Sequence, residues 1–194
     1  MLFLLKQMNL NNRKPPMEEP PTEDALHLRL KAQPIVRYHV LDIPERQTVG
    51  EHTYGATQIL RYLVEGKSSE YRLQAIEAML DHDVPEALIG DTPHTTKIDY
   101  EGFVDVLAEL EDEIIAEFQL SRPLSLAMEL DCKCADMLEM AWYGYRLILK
   151  GNAVGFTVLE NVINWFGTLR NKPEKAEVML TVIQQLVGEL HHET

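Results

Sequence analysis

The chain is predicted to fold as an all-α domain, and three observations carry that expectation. Apolar residues recur at three- and four-residue steps through most of the length. Helix punctuation falls at the ends of those runs, with Thr48 and Ser69 at starts and Gly66 and Gly151 at stops. No stretch of period-two alternation stands out, and there is no internal repeat.

Taken in order, Thr22 and the acids behind it suit a helix start, with Ala25, Leu26, Leu28 and Leu30 as its apolar side. The segment from Pro34 to Glu51 reads as irregular, with Pro34 and Pro44 and β-branched residues between them. Thr48 or Gly50 then caps a helix over roughly Glu51 to Glu65. Ser69 begins another, carrying Leu73, Ala75, Ile76, Met79 and Leu80 at helical spacing. Phe103, Leu107, Leu110, Ile114 and Phe118 define an amphipathic helix with carboxylates between them. A longer helix is expected from Pro123 to Lys150, and two more over Ala153 to Leu169 and Lys175 to Leu190.

The 194 residues fit one domain with a sizeable core, assigned to 22–194. Residues 1–21 read as a tail or linker, because the apolar opening "MLFLL" is too short to span a membrane and a Pro/Glu-rich stretch follows. The formal charge of −13 argues against gripping long nucleic acid, though a few local cations can still hold a single nucleotide. Cys132 and Cys134 lie two apart on a helix, so their side chains diverge and a disulfide is geometrically poor. They are expected reduced and buried, which points to the cytoplasm.

The segment "AMLDHDVPEALIGDTPHTTK" interrupts this pattern. It begins as a core helix and then places Asp81, His82, Asp83, Glu86 and Asp91 within eleven residues. Pro85 belongs in a first helical turn, so the preceding helix is expected to end at the His82-Asp83 pair and free both side chains. Uncompensated buried carboxylates are heavily penalised, and a divalent cation removes that penalty. Imidazole plus carboxylate is a common ligand set for such ions. His52, in the first turn of its own helix, is the third candidate ligand, and Asp136, flanked by Ala135, Met137 and Leu138, the fourth. Singly, His52 would more often be structural and Asp136 a cap or ion-pair partner. As a set in this order they favour a metal.

The motifs "RYHV", "RQTVGEHTYGA", "HDVPEALIGDTP" with Lys97, and "KCAD" together resemble the HD-domain metal phosphohydrolases over roughly Arg37 to Asp136. The resemblance implies a compact helical bundle with a metal site between helices. The closest likeness is to the branch holding bacterial 5′-deoxynucleotidases and small phage dATP triphosphohydrolases. It implies one divalent ion (Co, Mn, Mg or Zn) on His52, His82, Asp83 and Asp136, with hydrolysis by a metal-activated water. Glu86 becomes the candidate for proton transfer. Asp91 is a second catalytic candidate, to orient water, protonate the leaving oxygen or fix a loop. Arg37 and Lys97 would meet phosphate. Tyr38, where the branch carries tryptophan, would stack on base or sugar, with Val40 and Ile43 toward the base.

The short segment between Lys97 and Asp136 and the stretch "QTVGEH" resemble the phage enzymes more than the bacterial nucleotidases, which implies removal of triphosphate from a deoxynucleoside triphosphate. The alternatives are a 5′-deoxynucleotidase and, in another class, a nucleotide-binding module without chemistry. The implied partners are a small deoxynucleotide and further copies of the chain in a homo-oligomer, with neither long nucleic acid nor membrane.

Overall fold

The computed structural model describes residues 23–43, 45–92 and 101–190. Among these, the chain forms α1 (Glu23–Ala32), α2 (Val49–Leu63), α3 (Ser69–Asp81), α4 (Glu86–Ile89), α5 (Glu101–Glu117), α6 (Leu126–Leu149), α7 (Val154–Thr168) and α8 (Glu174–Leu190). No strand occurs among the described residues.

α6 is the hub. It packs against α2, α3, α7 and α8, and α2 also packs on α3. Its Cys134, Ala135, Leu138 and Ala141 are wholly buried, against Ala56 and Leu60 of α2 and Val162 of α7 in one apolar cluster. Both cysteines are buried and free, as their spacing predicts. At the α6–α7 contact the backbones nearly touch. A Cβ on Gly155 would sit 2.3 Å from the carbonyl oxygen of Gly144, so only glycine permits this approach.

Capping sets several boundaries. The Thr48 side chain accepts from the Glu51 N–H while the Glu51 carboxylate accepts from the Thr48 N–H, a capping box that settles the start of α2 on Thr48. Ser68 caps α3, and Ser125, not Pro123, starts α6 by accepting from the Met128 N–H.

The buried faces differ from expectation in three helices. α1 buries Ala25, Leu28 and Ala32 and leaves Leu26 and Leu30 more than half exposed. α3 buries Ala75, Ala78 and Met79 but not Leu73 or Leu80. On α5 Leu107 and Ile114 are buried, whereas Phe103 and Leu110 stay exposed. A short helix lying on one side of a core buries a narrower stripe than its apolar residues offer.

The irregular stretch before α2 folds back on itself. An isolated bridge joins Val36 to Thr48, with Arg37 N–H donating to the Gln47 carbonyl at 2.8 Å and Val49 N–H to the Ile35 carbonyl at 2.8 Å. This clasp presents Arg37 and Tyr38 beside the first turn of α2, where His52 lies.

Candidate metal centre

Three elements converge on one point: the first turns of α2, the turn between α3 and α4, and the middle of α6. α3 ends at Asp81, His82 keeps helical geometry as the cap, and Pro85 caps α4. The turn carries His82 and Asp83 out of the helix, as the position of Pro85 suggests.

His52 Nε2, His82 Nε2 and an Asp83 carboxylate oxygen all lie within 4.8 Å of one another, and the group can hold a metal ion. His52 Nε2 is 3.4 Å from His82 Nε2, 3.2 Å from Asp136 Oδ1 and 3.6 Å from Asp83 Oδ2. His82 Nε2 is 3.3 Å from Asp83 Oδ1. A cation with bonds of about 2.1 Å leaves its ligand atoms about 3.0–3.4 Å apart, whether octahedral or tetrahedral. His52, His82 and Asp83 are set at close to that spacing, and Asp136 Oδ1 stands at it from His52.

The hydrogen-bond directions agree. His82 Nδ1 lies 2.6 Å from the Met79 carbonyl, so it donates there. His52 Nδ1 lies 2.5 Å from Glu139 Oε2 and donates there. Both Nε2 atoms are then left facing each other and two carboxylates. Such a cluster of lone pairs demands a positive charge. Without a metal, a proton supplies it. Burial and Arg37 push the His52 pKa down, but Asp136, Glu139 and Asp83 prevail and lift it to about 9. For His82 burial dominates and lowers the pKa. Asp83 and Asp136 are held below the usual carboxylate range, where burial is outweighed by the two histidines and by Arg37 for Asp83 and Lys133 for Asp136. Asp83 Oδ2 is buried without a hydrogen bond among the described residues. The donor set fits a divalent cation.

Arg37 stands over this cluster. Burial works against its charge, yet Asp83, Tyr38, Asp136 and Glu86 more than restore it. Its Nη1 is buried with no hydrogen-bond partner among the described residues. Tyr38 adopts a left-handed backbone, φ 58°, which costs a non-glycine residue roughly 1–2 kcal/mol. Two contacts hold it there. Its N–H donates to Asp91 Oδ2 at 3.1 Å, and its ring stacks on Tyr143 of α6, centroids 5.1 Å apart. Asp91 thereby ties the loop that carries Tyr38 to the end of α4. One face of the Tyr38 ring is already occupied inside the protein.

Glu86 opens α4, half-buried, its N–H donating to the Asp83 carbonyl. Val40 is 58% exposed, and Ile43 is buried beside Tyr143 and Leu147. Lys97 lies outside the described residues. Asp81 does not join the cluster. It pairs bidentately with Arg29 of α1, at 2.7 and 2.6 Å, and accepts the Ser121 N–H.

Three residues at the centre escaped the sequence reading. Glu139, three residues after Asp136 on the same face of α6, accepts from both His52 and Gln47. Its only sequence signal is a carboxylate inside the apolar run "ADMLEMA". Gln47 is the second. Lys133, also on that face, donates to Asp136 Oδ2 at 2.5 Å and leaves Oδ1 toward His52.

No family model matches the sequence, and a search of curated proteins finds no relative. The similarity lies in structure: the fold is that of HD-domain phosphohydrolases. One such structure is the cyanophage S-2L HD phosphohydrolase DatZ, bound to dA and one catalytic Zn2+ ion. It superposes with a TM-score of 0.64 at 18% identity, over 84% of this chain and 96% of that one. The PH0347 protein of Pyrococcus horikoshii gives 0.66 at 18% identity, over 85% and 99%. An HD-domain phosphohydrolase of Listeria innocua gives 0.52 at 18% identity, over 86% and 95%.

Proposed function

We propose that this protein is a metal-dependent deoxynucleotide phosphohydrolase that cleaves deoxynucleoside triphosphates, dATP foremost, into deoxynucleoside and triphosphate. The observation that carries the reading is the convergence of four donor side chains, His52 Nε2 lying 3.2–3.6 Å from His82, Asp83 and Asp136, beside a half-buried arginine whose Nη1 is buried without a hydrogen bond. The dA-bound phage structure of the same fold supports the choice of base and sugar.

His52, His82, Asp83 and Asp136 would hold a divalent ion. When bound, such an ion supplies Lewis acidity and lowers the pKa of water toward neutrality. Arg37 offers its free N–H to a phosphate oxygen, and its charge survives burial because the surrounding carboxylates sustain it. Lys97 is proposed as a second phosphate contact, on sequence alone. Glu86, next to the His-Asp turn and close enough to act on Arg37, is the group for proton transfer to the leaving 5′ oxygen. Asp91 and Tyr143 hold Tyr38, and with it Arg37, at the mouth of the site.

The test is a chromatographic panel of ribo- and deoxynucleotides, as mono- and triphosphates, with Zn, Mn, Co or Mg. The expected result is dATP consumed with equal yields of deoxyadenosine and triphosphate. Asp83→Asn should lower kcat/KM at least about a hundredfold, about 2.7 kcal/mol of transition-state stabilisation. Cleavage of monophosphates alone would make it a 5′-deoxynucleotidase instead. No turnover with any metal would leave a nucleotide-binding module.

A further inference from the structure

We infer that Glu139 and Gln47 are positioning residues of the metal centre: Glu139 fixes the tautomer of His52, and Gln47 ties Glu139 to the segment that carries Arg37. The inference rests on the metal site of the proposed function and concerns residues that bind neither ion nor substrate directly.

Glu139 is 4% exposed, Gln47 is 4% exposed and His52 is fully buried. Burying a carboxylate in the central helix of the fold is costly unless its oxygens are bonded. Both are. Oε2 lies 2.5 Å from His52 Nδ1, and Oε1 accepts from Gln47 Nε2 at 2.7 Å. The backbone carbonyl of Gln47 accepts the Arg37 N–H at 2.8 Å. A continuous chain of hydrogen bonds therefore runs from Arg37 through Gln47 and Glu139 to His52. Room has been left for it. A Cβ on Gly55, on the same helix as His52, would come within 2.8 Å of Glu139 Cγ.

The chemistry of the two ends is asymmetric in a useful way. Glu139 is approached by two donors, one at each oxygen, and only a carboxylate accepts at both. An amide at position 139 would turn its NH2 toward either Gln47 or His52. With its NH2 toward His52 it would force the proton of His52 onto Nε2, the atom that faces His82, Asp83 and Asp136. With its NH2 toward Gln47, whose amide must then turn over to accept, it would keep both links but remove the negative charge that holds the Nδ1 proton. An oriented imidazole is what carboxylate partners of metal-bound histidines provide, and their loss typically weakens metal binding about ten- to a hundredfold.

The experiment uses the full chain and Zn2+ alone, with zinc affinity measured against a competing chelator and the His52 tautomer read by long-range 1H–15N correlation in the zinc-loaded protein. Wild type should bind zinc with the proton on Nδ1 of His52. Glu139→Gln should bind about ten- to a hundredfold more weakly, with the metal-free protein still folded in its thermal melt. Adding Gln47→Glu to Glu139→Gln should recover most of the affinity and the Nδ1 proton. The introduced amide can then accept from His52 and donate to the introduced carboxylate. A pair that merely filled space would show no such recovery.

Zinc affinity of folded Glu139→Gln within about twofold of wild type, or a double variant as weak as the single, overturns the inference. Should Glu139→Gln fail to fold, Gln47→Leu serves, with a several-fold loss of zinc affinity expected and unchanged affinity overturning the proposal. A wild type that binds no zinc overturns both this inference and the function it rests on. Zinc affinities as expected without hydrolysis of any nucleotide leave the inference standing and remove only the proposed function.

Discussion

At the scale of single residues, His52 carries a measurable signature of the site. Its raised pKa arises because Asp136, Glu139 and Asp83 prevail over burial and the charge of Arg37, and it lies at about 9 in the metal-free protein. Below that value a proton occupies the place a cation would take, so binding a metal must expel it. Zinc or cobalt affinity should therefore rise about tenfold per pH unit from about pH 7 and level off above about 9, as read by titration over that range. A flat profile would mean that metal binding expels no proton from His52. The residues legible in the sequence were those whose type is unusual for their surroundings: a histidine in a first turn, a His-Asp pair before a proline, an aspartate in an apolar run. Glu139 and Gln47 were not, because each looks like an ordinary polar side chain until its partner arrives, and Lys133, paired with Asp136 three residues on, reads as a common exposed helix ion pair. The partner of Gln47 is 92 residues away in the chain, and that of Glu139 is 87 away.

At the scale of elements, the helix boundaries were readable to within a few residues. Thr48 and Pro85 act where the sequence placed them, α3 begins at Ser69 as expected, and α6 begins past Pro123, where the Ser125 hydroxyl accepts from the Met128 N–H. Which face each helix buries was less readable, since Leu26, Leu30, Leu73 and Phe103 satisfy a helical pattern yet face solvent. The contact between α6 and α7 was not readable at all. There Gly144 and Gly155 meet backbone to backbone. Gly155→Ala should cost about 2 kcal/mol by overpacking, measured by urea unfolding. The metal affinity should hardly change, because a Cβ at Gly155 meets Gly144 and Ile148 and none of His52, His82, Asp83 or Asp136.

At the scale of the whole molecule, the centre fastens together α2, the α3–α4 turn and α6, which otherwise cohere through the apolar cluster around Leu60 and Leu138. A cation there should stabilise the fold by about 2.7 kcal/mol when present at a hundred times its Kd. For a chain of this size that is roughly 5–10 °C in Tm, so chelation should lower the melting temperature by that amount. No helix among the described residues is long and apolar enough to cross a membrane, and the net charge of −13 disfavours long nucleic acid. The sequence by itself determined the helical class, the approximate helix bounds and the choice of four candidate ligands, because capping, periodicity and side-chain chemistry act over a few residues. Only the tertiary structure decided that Asp81 serves Arg29 rather than the site, that the ring of Tyr38 rests on Tyr143, and that Glu139 orients His52. Those are contacts between segments distant in the chain, and short-range chemistry carries no record of which partner will be met.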